Sequence, residues 1–167
     1  GQTRRRLDSD CAMPSCRLAR LKPDAPTVLV ATDYRGKLWV IDPKTLTEIR
    51  SVTVAEPSPA ADRTVTMLHA VSDLDGDGDA ELVVTTSRQR QVKAENPGYP
   101  DRPQNVAVFS DNTLHVYSSD LKPVGSFLVQ KEYRRDPGFR AFVADFDEDG
   151  RGEILVTADR GYVLKLM

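Results

Sequence analysis

Two nine-residue stretches constrain this chain more than any other feature: DLDGDGDAE, from Asp73 to Glu81, and DFDEDGRGE, from Asp145 to Glu153. Each sets aspartates at positions one, three and five (Asp73, Asp75, Asp77; Asp145, Asp147, Asp149), glycine at six (Gly78, Gly150) and glutamate at nine (Glu81, Glu153). Each leads directly into an apolar run, LVVTT or ILVTA. Carboxylates crowded into one tight loop repel one another unless a cation sits among them. Hard oxygen donors in a flexible loop suit calcium, with roughly six to eight ligands, better than the strict octahedron of magnesium. Position seven, Asp79 or Arg151, is expected to add its backbone carbonyl. The spacing therefore predicts two calcium sites, each tying the end of one strand to the start of the next. An EF-hand does not fit, because position twelve is Val84 or Val156 rather than glutamate and the flanking runs are strands.

Short β-type runs separated by turn residues dominate the rest. Strands are expected at 27–32, 37–41, 47–54, 64–71, 81–86, 105–110, 113–118, 124–129, 139–144, 153–158 and 162–166. Nothing comparable supports a helix, and the 11 prolines and 10 glycines fall mostly between these runs, so the fold class is all-β and antiparallel. Laying Thr27, Glu81 and Glu153 over one another aligns three repeats, at offsets of 54 (81 less 27) and 72 (153 less 81). The polar stretch 87–105 accounts for most of the difference, as an insertion in the middle repeat. The first repeat is degenerate: in this alignment it has lost about three loop residues and Lys22 stands where Asp145 stands, so no metal is expected there.

Each unit reads as a four-stranded blade of the β-propeller type, divided as an N-terminal segment 1–15, a first blade 16–62, a second 63–136 and an incomplete third 137–167. Closed propellers have roughly 4 to 8 blades, so about three should not close alone. The missing sheet is expected from a neighbouring copy, another chain, sequence beyond this one, or residues 1–10 returning as an outer strand.

The segments MLHAVSDLDGDGDAELVVTT and FRAFVADFDEDGRGEILVTADRGYVLKL resemble the FG-GAP, or VCBS-type, repeats of integrin α-subunit propellers and many bacterial extracellular proteins. The resemblance runs from about Cys16 to Met167, strongly in the second and third repeats and weakly in the first. It implies a propeller blade with calcium between its first and second strands, held by the acids named above. The degenerate first loop, the insertion and the short blade count depart from that pattern.

A formal net charge of −2 gives no field that would gather nucleic acid, and TRRRL near the N-terminus reads as a solvated tail. No apolar stretch approaches the roughly 18 residues of a membrane helix, and the N-terminus lacks the apolar core of a secretory signal. Gly1 is compatible with a mature, processed chain. Cys11 and Cys16 sit close enough for a small disulfide loop, favoured here over two free thiols; the bridge would place the protein in an oxidising, extracellular or periplasmic compartment.

No enzyme is expected. The acids are accounted for as metal ligands, His69 and His115 lie in alternating strand patterns, and no nucleophile elbow or phosphate-cradling loop is present. Trp39 reads as blade packing rather than a sugar platform. Within 87–105, expected to project from the rim of the fold, the residues Arg88, Arg90, Lys93, Tyr99 and Arg102 form a candidate binding loop with no assignable ligand, and a bland disordered loop is an equal reading. The expected function is adhesion or protein assembly, including self-association. The alternatives are a carbohydrate-binding propeller and a non-catalytic fragment of a polysaccharide-degrading enzyme.

Overall fold

The computed structural model describes residues 15–59, 61–94, 104–134, 140–157 and 162–165. Among them there is no helix, and hence none long and apolar enough to cross a membrane. Among the described residues eleven strands form three antiparallel sheets in chain order. The first sheet holds β1 (Ser15–Ala19), β2 (Val28–Thr32), β3 (Lys37–Ile41) and β4 (Glu48–Thr53). The second holds β5 (Arg63–Ser72), β6 (Glu81–Ala94), β7 (Gln104–Tyr117) and β8 (Pro123–Arg134). The third holds β9 (Arg140–Ala144), β10 (Glu153–Thr157) and β11 (Tyr162–Lys165).

The second sheet lies between the other two. One of its faces packs Leu68, Leu82, Val84 and Tyr117 against Val28, Val30, Leu38 and Val40 of the first sheet. The other packs Val83, Leu114, Val116 and Val129 against Ala141, Ile154 and Val156 of the third. This explains why ELVVTTS, residues 81–87, is buried without a break: a strand covered on both faces has no reason to alternate polar with apolar residues. The edge strand β9 alternates instead, with Ala141 buried and Val143 half-buried between exposed neighbours.

Strand pairing corrects the alignment of the first repeat. Ala19 pairs with Val28, Ser72 with Glu81 and Ala144 with Glu153, so Val28, not Thr27, occupies the place of Glu81. The inter-sheet bonds agree, since Ala80 donates its N–H to the Leu21 carbonyl at 2.8 Å and Gly152 donates to Leu74 at 3.1 Å. Leu21 thus stands where Leu74 stands. The first loop has lost no residues; it carries Arg20, Lys22 and Val28 at positions one, three and nine, where the others carry acids. Substitution had erased the pattern that would have fixed its length. For the same reason β1, with Arg17 in its centre, escapes the search for apolar runs although it is a regular strand.

The stretch 87–105 is not a rim loop over its described part. β6 continues to Ala94 and pairs residue by residue with β7 from Arg88↔Ser110 to Ala94↔Gln104, while β8 flanks β7 as far as Val108↔Arg134. The runs expected at 105–110 and 113–118 are one continuous strand, irregular near Asp111, which adopts φ 51°. A ladder satisfies backbone polar groups whatever the side chains are, which is why a polar sequence extends the sheet here. Arg88, Arg90 and Lys93 therefore sit on a paired strand, with Arg88 3.3 Å from Asp111; Tyr99 and Arg102 lie outside the described residues. Cys16 is exposed on β1; its partner in the expected bridge, Cys11, lies outside the described residues.

Candidate metal centre

The two acidic loops have nearly the same internal wiring. Asp73 accepts the Gly78 N–H through Oδ2 at 2.9 Å, and Asp145 accepts the Gly150 N–H through Oδ2 at 2.9 Å. The position-seven N–H is bonded by the position-five carboxylate in both, Asp79 to Asp77 at 2.7 Å and Arg151 to Asp149 at 3.0 Å. The glutamate at nine reaches back to the N–H of position two, Glu81 to Leu74 at 2.8 Å and Glu153 to Phe146 at 2.7 Å. These bonds fold the loop over the head of its strand.

Two positions in each loop take left-handed backbone. At six, Gly78 and Gly150 have φ of 89° and 86° and meet no Cβ penalty. At four, Gly76 has φ 82°, but the second loop places Glu148 there at φ 60°, which costs a residue with a Cβ roughly 1–2 kcal/mol. That the second loop keeps the conformation in spite of this cost shows how strongly the rest of the loop dictates it.

In each loop a trio of acids comes together: one carboxylate oxygen from each of Asp73, Asp75 and Glu81 lies within 4.8 Å of the others, and likewise for Asp145, Asp147 and Glu153. The two glutamates are buried, at 5% and 3% exposure, beneath exposed aspartates. Burial pushes the Glu81 carboxyl above its ordinary range; the negative charges of Asp75, Asp77 and Asp73 push it further, against the opposing Leu74 hydrogen bond. A cation among these oxygens would reverse the penalty, so the donor set fits a hard divalent ion. Of the remaining predicted ligands, Asp77 and Asp149 lie outside the trios and serve the backbone as described. Asp79 turns its side chain away from the loop: Lys22 pairs with it at 2.9 Å and Ser119 donates to it at 3.0 Å. The Lys22 hydrogen bond is the main cause holding the Asp79 carboxyl below its usual range.

Sequence reading missed this bridge. Lys22, in the first loop, bridges to the acidic loop of the next repeat, while Arg50 reaches the Ser119 carbonyl and Asp120 on the same side. Lys22 and Asp79 are far apart in sequence, and only the corrected register brings them together.

The two histidines are each hydrogen-bonded to a threonine hydroxyl of β6. Thr85 and Thr86 bond His69 and His115 through Nε2 at 2.8 and 2.9 Å. Burial lowers the affinity of both rings for a proton; for His69, with Arg140 and Arg17 adding to the effect, the pKa falls to about 4. The Ala141 N–H donates to His69 Nδ1 at 3.4 Å, which places the ring's own proton on Nε2 and links β5 to β9. Because the folded pKa lies below the unfolded value, the unfolded chain binds the proton first, and stability is lost as pH falls from about 6.5 towards 4. Denaturant unfolding at pH 7 and pH 4.5 is expected to show a loss about 2–3 kcal/mol smaller in His69→Gln than in the wild type.

Trp39 donates Nε1–H to Asp33 at 3.1 Å, and the Lys37 ammonium lies 4.8 Å from its ring centre. No protein-family model, curated protein or solved structure matches this chain.

Proposed function

We propose that this protein is a non-enzymatic calcium-binding module built from FG-GAP or VCBS-type β-propeller repeats, acting outside the cytoplasm in adhesion or assembly. The observation that carries the reading is the duplicated trio, Asp73, Asp75 and Glu81 matched by Asp145, Asp147 and Glu153, each closed by the same glutamate-to-position-two hydrogen bond. Asp73, Asp75, Glu81 and their counterparts would hold Ca2+, with Asp77, Asp149 and the position-seven carbonyls of Asp79 and Arg151 completing the shell. The ion would neutralise buried glutamate and fix the junctions β5–β6 and β9–β10. Two four-stranded sheets and one three-stranded sheet, following one another in chain order, support the blade reading, in which each sheet would be one blade.

Two features favour binding over catalysis: the acids are grouped around common centres, and both histidines are engaged by threonine hydroxyls. The engagement of Trp39 by Asp33 and Lys37 favours packing over a sugar platform. Calorimetric titration of calcium into metal-free protein tests the reading. Two sites per chain are expected, with magnesium a poor substitute, and Asp145→Ala should remove one site. Absence of binding heat at both loops, or equal affinity for magnesium, would contradict it.

A further inference from the structure

The two interfaces inside the chain show what each sheet face is built to receive. The register pair Val71↔Leu82 of the second sheet packs towards the first sheet, and its counterpart Val143↔Ile154 in the third packs towards the second. The same pair in the first sheet is Leu18↔Leu29; it faces away from the second sheet, and Leu18 is 67% exposed. On the opposite face, Ala70 and Val83 of the second sheet are covered by the third, as Val30 of the first is covered by the second. Their counterpart in the third sheet is Phe142↔Leu155, where Phe142 is 54% exposed.

The position-two anchor repeats the contrast. Leu21 and Leu74 are buried in the interfaces at 3% and 0%, while Phe146, in the same place in the third repeat, is 51% exposed. The described sheets thus present two unlike apolar faces. Each has the chemistry of a face that, elsewhere in the same molecule, packs on the other kind.

We propose that the outer face of the third sheet, carrying Phe142, Phe146 and Leu155, receives the outer face of the first sheet, carrying Leu18 and Leu29, of a second copy of this chain. The contact repeats the stacking of the internal sheets, with the Phe146 carbonyl set to accept the Thr27 N–H of the incoming copy as Leu21 and Leu74 accept from Ala80 and Gly152. Such an interface is heterologous and propagates head to tail into a ring or filament. It rests on the repeat reading above, but not on calcium.

Sedimentation velocity over a concentration series, with Leu18→Asp and Phe142→Asp, tests it. Both positions are exposed and outside the acidic loops, so the variants should fold as the wild type does. The wild type is expected to grow in mass with concentration, while each variant alone stays monomeric. An equimolar mixture should double in mass and stop there, because each variant keeps one sound face. A wild type that stays monomeric, a variant that still self-associates, or a mixture that stays monomeric would each overturn the proposal. Running the series in chelator as well separates this outcome from that of the calcium reading, since two bound ions on a strictly monomeric chain would remove the contact and leave the metal.

Discussion

Saturating calcium is expected to raise the unfolding free energy of the wild type by about 4 kcal/mol for each site held at about a thousand times its dissociation constant. The increment should vanish in a protein carrying both Asp73→Asn and Asp145→Asn. These aspartates sit at position one of the two trios and accept backbone N–H groups through both oxygens, Asp73 from Gly76 and Gly78 and Asp145 from Asp149 and Gly150, so each substitution removes a charge and keeps one of the two acceptor oxygens. The sign in chelator is informative too. Without a cation, Glu81 is destabilised by burial and by its aspartate neighbours, so neutralising Asp73 should leave the metal-free protein about as stable as before. Thermal or urea unfolding in calcium and in chelator checks all four combinations. A calcium-independent transition in the wild type would contradict the prediction.

The second large effect is expected at Leu74→Ala. Leu74 lies inside an acidic loop, between Asp73 and Asp75, yet it is fully buried between the second and third sheets. Its N–H donates to Glu81 and its carbonyl accepts from Gly152 in the other acidic loop. It is the point at which acidic loop, sheet packing and neighbouring loop meet. Truncating a buried leucine costs about 3–5 kcal/mol when its surroundings cannot collapse, and here backbone bonds on both sides hold the loop in place. Urea unfolding should show that loss, with calcium affinity at the 73–81 loop falling alongside it. Leu128→Ala, at a site 55% exposed, should stay within about 0.5 kcal/mol of the wild type. Equal effects at the two sites would mean that Leu74 is not the anchor described here.

Much of this was legible in the sequence, and the reasons differ from place to place. The acidic loops could be read because the same nine-residue pattern of aspartates, glycine and glutamate appears twice. The all-β character could be read because the buried runs are rich in valine, leucine and threonine between turn residues, as in ELVVTT and EILVT. The first loop was misread because Arg20, Lys22 and Val28 had replaced the acids that mark its length; only the pairing of Ala19 with Val28 restores it. The extended hairpin beyond Ser87 was invisible because a ladder is satisfied by backbone groups, and Gln89, Gln91 and Lys93 carry no apolar signal. The Lys22–Asp79 bridge and the role of Phe146 needed the stacking of the sheets, which joins residues that pattern alone cannot bring together.

Native mass spectrometry of the chain, sprayed with calcium and then after chelation, is the most direct test of the central claim that both acidic loops are calcium sites. Two calcium ions per chain are expected, both lost to the chelator, with one ion remaining in Asp73→Ala and one in Asp145→Ala. A wild type that carries no calcium, or one whose ions are unaffected by either substitution, would contradict it.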